Sequence, residues 1–308
     1  MTDDRLLRVV LHGLASSPKT LPPTLFYDEA GSGLFDRITT VEDYYPTRVE
    51  AEIFREHAVE MAMAAADGAA RVVMVEPGCG SGAKAASLLA HLPAVAYVGI
   101  DVSVTALAAG ASRLEEAFPK VTVMAVEADY HEPFTLPALP EGRRIGFFPG
   151  STIGNFDPDD AVHFLANMRE IVRPGGRFLI GVDLWKDPAV LRRAYDDREG
   201  VTAAFNKNAL AHLNRRYAAD FVLAQFGHLS RVDAALGRVE MHLQAREAVV
   251  FHVAGRRFSM AAGETIHTEN AYKYDIPGFG ALAGRAGFQL RQTWTDAGSR
   301  FAVLLLAA

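Results

Sequence analysis

The stretch Arg71–Lys84, RVVMVEPGCGSGAK, decides the fold. A β-branched apolar run ends in an acid, three glycines follow within five residues, and an alanine-rich helical sequence takes over. Strand, glycine turn and helix in that order predict a ligand-binding turn at the first crossover of a parallel sheet. Gly78, Gly80 and Gly82 allow positive φ and a close approach of the ligand to the backbone. The GxxxxGK[ST] spacing of a P-loop is missing. GCGSGA matches the dinucleotide pattern G-x-G-x-x-G/A in outline, a weak signal by itself.

Reading outward, strand and helix alternate. The helix of AKAASLLAHL leads to the strand AYVGID, then to the helix VTALAAGASRLEEAF with Ser103 as its N-cap. VTVMAVEAD and RRIGFFPG are the third and fourth strands. DPDDAVHFLANMREIV is a helix with acids at its N-terminus, and GRFLIGVDL a fifth strand. FQLRQTWTD and SRFAVLLLA read as a terminal strand pair completing the sheet. The expected class is α/β, a mostly parallel sheet with helices on both faces. Residues 1–60 and 186–274 break the alternation. They are expected to form a second, smaller α+β domain capping the sheet's C-terminal edge, with 61–185 and 275–308 as the sheet-bearing domain.

Of the 308 residues half are hydrophobic, and the net charge of −6 leaves no basic footprint for nucleic acid. The single cysteine, Cys79, excludes an internal disulfide framework and a cysteine-rich zinc site. The histidines are dispersed without an HExxH pattern, so no metal is expected. No apolar run approaches the ~20 residues of a membrane span, and the polar N-terminus does not read as a secretory signal. A cytoplasmic monomer acting on a small molecule is the expectation.

The ligand of the glycine turn follows from three successive strand ends. Glu76, two residues ahead of Gly78, repels a pyrophosphate but balances a sulfonium. Asp101 closes VGID, where a carboxylate accepts ribose hydroxyls. Asp129 and Tyr130, in EADYHEPF, suit an adenine amino group beside an aromatic wall. Together they favour S-adenosylmethionine over NAD. Cys79 has no acid–base partner in the sequence and reads as a small packing residue.

Beyond the turn, FYDEAGSGLFDRIT (26–39), DYYPTRVE (43–50), VEPGCGSGAK, FFPGSTIGNF (147–156), AYDD with AAFNKN, and HTENAYKY (267–274) occur in order. Over nearly its whole length the chain resembles the histidine-specific methyltransferases, typified by the L-histidine Nα-methyltransferase of ergothioneine biosynthesis. The resemblance implies a Rossmann-like class I methyltransferase sheet beside a substrate-binding domain, and α-amino methylation of L-histidine, three times, to hercynine. It implies a donor site of Gly78, Lys84, Asp101, Asp129 and Tyr130, to which the strand-turn reading adds Glu76, Gly80 and Gly82. It also implies that Tyr44, Asn155 and Tyr195 hold the amino-acid end of the substrate and that Met241 lines the side-chain pocket. Glu269 and position 271 would face the imidazole, with Tyr27 beside the reacting nitrogen. Tyr27 and Asn155 are thus the expected catalytic residues.

One position departs from the family pattern. Where the resemblance implies a serine hydroxyl to the imidazole, this chain has Ala271. A neutral hydrogen bond is worth ~0.5–1.5 kcal/mol, so affinity for histidine falls by up to about tenfold. The alternative expectation is another amino acid, aromatic or a modified histidine.

Overall fold

The structure, a computed structural model, describes residues 4–130 and 134–308. The chain opens with helix α1 (Arg5–Ala15), the short strand β1 (Lys19–Thr20) and α2 (Glu29–Ile38). The long α3 (Tyr45–Ala66) leads to β2 (Val72–Pro77), α4 (Ala83–Leu89), β3 (Ala94–Asp101), α5 (Val104–Ala117) and β4 (Thr122–Glu127). Next come β5 (Arg143–Phe148), α6 (Pro158–Val172) and β6 (Arg177–Asp183). Two helices, α7 (Pro188–Tyr195) and α8 (Val201–Tyr217), precede β7 (Phe226–Asp233), β8 (Arg238–Ala245), β9 (Val249–Val253), β10 (Arg256–Met260) and β11 (Thr265–Tyr272). The chain closes with α9 (Ile276–Arg285), β12 (Gln289–Thr295) and β13 (Phe301–Ala307).

These elements form two compact units, one of residues 46–185 with 273–308 and the other of residues up to Tyr45 with 186–272. The first contains a seven-stranded sheet in the order β12-β13-β6-β5-β2-β3-β4. Strands β2 to β6 run parallel, and β13 is antiparallel to both neighbours, as its hairpin-like link to β12 requires. Every residue of β2 and β13 is buried, the mark of strands covered on both faces. From β2 the chain builds outward to β3 and β4, then returns to lay β5 along the other side of β2. The order reverses between β2 and β5, which makes their carboxyl ends the place for a ligand crevice. Ser103 caps α5 by accepting from the Ala106 N–H.

The unit boundary differs from the sequence expectation at residues 46–60. α3 runs unbroken through them, so they join the seven-stranded unit. Lys273 and Tyr274 join it too, because Lys273 is ion-paired to Asp183 and Tyr274 bridges to Leu184.

The second unit packs a four-stranded sheet, β1-β11-β8-β7, and the β9–β10 hairpin against α1, α2 and α8. Its core holds Phe26, Phe205, Leu213, Phe226, Met241, Leu243 and Ile266. β1 pairs in parallel with β11, far away in sequence. Gly31 allows α2 to lie on the preceding turn, since a Cβ there would collide with the Phe26 carbonyl. Asp28 caps α2 through the Gly31 N–H and accepts from Asn208 of α8 at 2.8 Å. The motifs FYDEAGSG and AAFNKN therefore meet partly for structural reasons.

Candidate functional site

The parallel strands of the larger sheet carry their C-terminal residues to one edge. At β2 this is the glycine loop: Gly78, Gly80 and Gly82 all have positive φ, 64°, 49° and 66°. A Cβ at Gly80 would meet nothing within 4 Å, so the loop has room for a ligand, whereas one at Gly78 would press on the Tyr130 ring at 3.1 Å. Tyr130 stands after β4 as an aromatic wall, edge-on to Phe148 and close to Phe156 and Phe164. Asp129 precedes it; His131–Pro133 lie outside the described residues. Asp101, at the tip of β3, accepts the Gly80 N–H on one carboxylate oxygen and the Ser103 N–H on the other, both at 2.9 Å. Each oxygen retains a second acceptor position for a hydroxyl.

Glu76 lies inside the fold beneath this loop, 2% exposed, and takes the Tyr97 hydroxyl hydrogen at 2.5 Å. Burial pushes its carboxyl up to about 8, and Glu50 and Asp101 add like-charge repulsion against the partial relief from Tyr97 and Lys84. Burial also raises the Cys79 thiol, which keeps it protonated and unsuited to nucleophilic attack. These groups fit S-adenosylmethionine: an open glycine loop, acceptors for a ribose diol, an aromatic wall, and an enclosed carboxyl that a nearby cation favours in its ionised form.

Sequence reasoning missed Glu50. It projects from α3, 1% exposed, and its two oxygens take the Lys84 ammonium at 2.5 Å and the Gly150 N–H at 2.6 Å. Gly181 leaves space for it, since a Cβ there would sit 2.5 Å from its Oε1. Glu50 thus ties the helix of the glycine loop to the turn after β5, across the point where strand order reverses. Asn155 ends that turn, a 3₁₀ segment spanning Thr152–Asn155. The signal available in the sequence was an acid closing DYYPTRVE. Asp183, at the tip of β6, forms a second enclosed pair with Lys273, 2.9 Å apart, each side chain 1% exposed.

The second unit brings the other expected residues together. Tyr27, Tyr44 and Tyr195 pack against the core cluster that contains Met241. The Tyr44 and Tyr195 rings are 6.2 Å apart, edge to face, and Tyr27 lies edge-on to Phe205 at 5.6 Å. Met241 pairs directly with Glu269, and Val239 with Ala271. Directly paired residues share a face, so Glu269, 8% exposed, and Ala271, 3% exposed, lie on the Met241 face of the sheet.

That placement depends on an irregularity. Ile266 pairs with core-facing Leu243, and strict alternation would send Glu269 to the opposite face. The register slips by one residue between His267 and Glu269, and the extra residue, Thr268, restores Glu269 to the inner face. Thr268 pins the bulge by donating its hydroxyl hydrogen toward the Met241 carbonyl, 2.9 Å, and Asn206 Oδ1, 2.8 Å. The fully buried Asn206 donates to His228 Nδ1, leaving His228 Nε2–H to donate to the Tyr195 carbonyl at 2.8 Å. Burial lowers the His228 pKa, consistent with the neutral ring this chain of bonds requires.

The expected residues thus fall into two sets: Glu76, Gly78, Gly80, Gly82, Lys84, Asp101, Asp129, Tyr130 and Asn155 in the larger unit, and Tyr27, Tyr44, Tyr195, Met241, Glu269 and Ala271 in the other. Among the described residues no group of three or more His, Cys, Asp or Glu is placed to hold a metal ion, and no helix is long and apolar enough to cross a membrane.

Known proteins share this arrangement of sequence. The histidine N-alpha-methyltransferase of Mycobacterium tuberculosis is 41% identical over 98% of this chain and 94% of its own length. That of Mycolicibacterium smegmatis is 39% identical over the same shares. A 4-dimethylallyltryptophan N-methyltransferase of Arthroderma benhamiae is 29% identical over 96% of this chain and 91% of its own. The model of a family described as histidine-specific methyltransferase, SAM-dependent, matches residues 6–308, both units together. On both counts the chain belongs to the histidine-specific, S-adenosylmethionine-dependent methyltransferases.

Proposed function

We propose that this enzyme methylates the α-amino nitrogen of L-histidine, three times in succession, to give hercynine in ergothioneine biosynthesis. The names of the mycobacterial relatives support the reading. The observation that carries it is Glu269: a nearly enclosed carboxylate beside Met241, on the face that Tyr27, Tyr44 and Tyr195 pack against. Such an acid suits the N–H of an imidazole and has no use for a hydrocarbon side chain.

The donor supplies an electrophilic methyl carbon on a positively charged sulfur. The amine lone pair forms the new C–N bond as the C–S bond breaks, and the bond pair stays on sulfur. The chain's task is alignment and a neutral amine. In this reading Asn155 orients the amine through its carbonyl oxygen, and the hydroxyls of Tyr44 and Tyr195 hold the carboxylate without adding charge. Tyr27 lies against the reacting nitrogen. The ammonium proton leaves to water before each attack. Successive methylations strip the amine of N–H donors, so the carboxylate and ring contacts carry the later rounds. On the donor side, Asp101 accepts the ribose hydroxyls, Asp129 and Tyr130 flank the adenine, and Lys84 is steadied by Glu50. A cytoplasmic setting suits the chain's single, protonated cysteine.

Ala271 favours a second reading, an aromatic amino acid other than histidine, as the tryptophan-derivative relative illustrates. A mass-spectrometric screen of the common amino acids with S-adenosylmethionine separates the two. Mono-, di- and trimethylhistidine are expected. Turnover confined to other amino acids rejects histidine as substrate.

A further inference from the structure

One row of residues crosses three adjacent strands on the inner face of the four-stranded sheet. Ser230 of β7 pairs with Met241 of β8, and Met241 pairs with Glu269 of β11. All three share a face, so Ser230 and Glu269 flank Met241 about two strand spacings, ~9–10 Å, apart at the backbone. Ser230 is 6% exposed, and its hydroxyl has no hydrogen-bond partner among the described residues. Buried polar groups without partners are rare, and each one calls for an explanation such as an absent ligand.

The neighbouring rows offer nothing that would serve instead. His228, paired with Leu243, already gives its Nε2–H to the Tyr195 carbonyl. The next row, Val232, Val239 and Ala271, has no polar side-chain atom. Among the described residues of these rows, Ser230 is the one with an uncommitted O–H.

We propose that Ser230 is a substrate contact that donates to the imidazole nitrogen opposite the one held by Glu269. The proposal rests on Glu269 as the ring's acid partner. A neutral imidazole carries one N–H and one lone pair on separate nitrogens. Glu269 satisfies the first and accepts only; the second needs a donor, which a hydroxyl on the far side of Met241 provides. Acid and hydroxyl together then read both ring nitrogens, and a hydrocarbon ring would leave both of them unpaired.

The test compares Ser230→Ala with Glu269→Gln in steady-state kinetics and thermal unfolding. Ser230→Ala is expected to raise the KM for histidine about two- to tenfold, the worth of one neutral hydrogen bond. The KM for S-adenosylmethionine should stay unchanged. In the absence of histidine, Tm should hold or rise, because the variant removes an orphan hydroxyl. An unchanged histidine KM in Ser230→Ala, with a raised one in Glu269→Gln, overturns the proposal and leaves the reading of Glu269 standing. A fall in Tm alongside the raised KM also overturns it, since the hydroxyl would then be structural. No change in either variant overturns both assignments.

Discussion

Replacing Glu76 by glutamine should flatten the pH dependence of stability. In the native chain Glu76 is enclosed beneath the glycine loop, and burial pushes its carboxyl up to about 8. In the unfolded chain the carboxyl titrates near its ordinary value of 4.5. Between those values the native state holds a proton that the unfolded state has released, so this group's stabilising contribution is complete at low pH and is lost as pH rises. The slope is about 1.4 kcal/mol per pH unit, and across the window the loss reaches about 4 kcal/mol. Glutamine keeps an acceptor for the Tyr97 hydroxyl and an N–H where the acid proton sat, but it does not titrate. Urea unfolding of the two proteins from pH 5 to pH 9 isolates the effect, because every other group is common to both. The stability of Glu76→Gln relative to the parent should climb through this range. The same linkage reaches the donor: a sulfonium favours ionised Glu76, so the parent's preference for S-adenosylmethionine over neutral S-adenosylhomocysteine should grow with pH, and the variant's should not. Parallel unfolding curves refute the reasoning, because they mean that the carboxyl is ionised in the native protein at neutral pH.

Lys273→Met leaves Asp183 charged and enclosed, and should destabilise the chain by about 3–5 kcal/mol in urea unfolding; the double variant Asp183→Leu/Lys273→Met should recover most of that. Thr268→Val keeps the shape of the side chain but deprives Asn206 and the Met241 carbonyl of a partner. It should cost about 1–3 kcal/mol and raise the histidine KM, with Thr268→Ser restoring both. Ala271→Ser adds a hydroxyl to the Glu269 face and should lower the histidine KM in steady-state assays. An unchanged or higher value would show that the ring does not reach this position.

The larger sheet was legible because its signals are local. A buried apolar run, a glycine turn and a capped helix each declare themselves within a dozen residues, and the three strand-tip acids fall where the periodicity puts them. Glu50 was hidden because its partners Lys84 and Gly150 lie 34 and 100 residues away, and an acid on an amphipathic helix ordinarily faces water. The unit boundary was misplaced for a related reason: nothing in YPTRVEAEIFREHAVEMAMAAA marks where the helix changes allegiance. Glu269 was identified by resemblance, yet its orientation depends on a one-residue slip that alternation cannot reveal. Ser230 looks like an ordinary strand serine until its pairing with Met241 is known.

The pairing of β1 with β11 has a consequence for how the chain is made. Lys19 meets Glu264 across 245 residues. At ribosomal rates of roughly 5–20 residues per second, the first segment waits ~10–50 s for the strand that completes its sheet. Until α8 emerges, Val10, Leu14 and Phe26, wholly shielded in the finished protein, have none of their C-terminal partners. That apolar surface therefore stays open through most of translation, and the larger unit closes later still, when β12 and β13 are made.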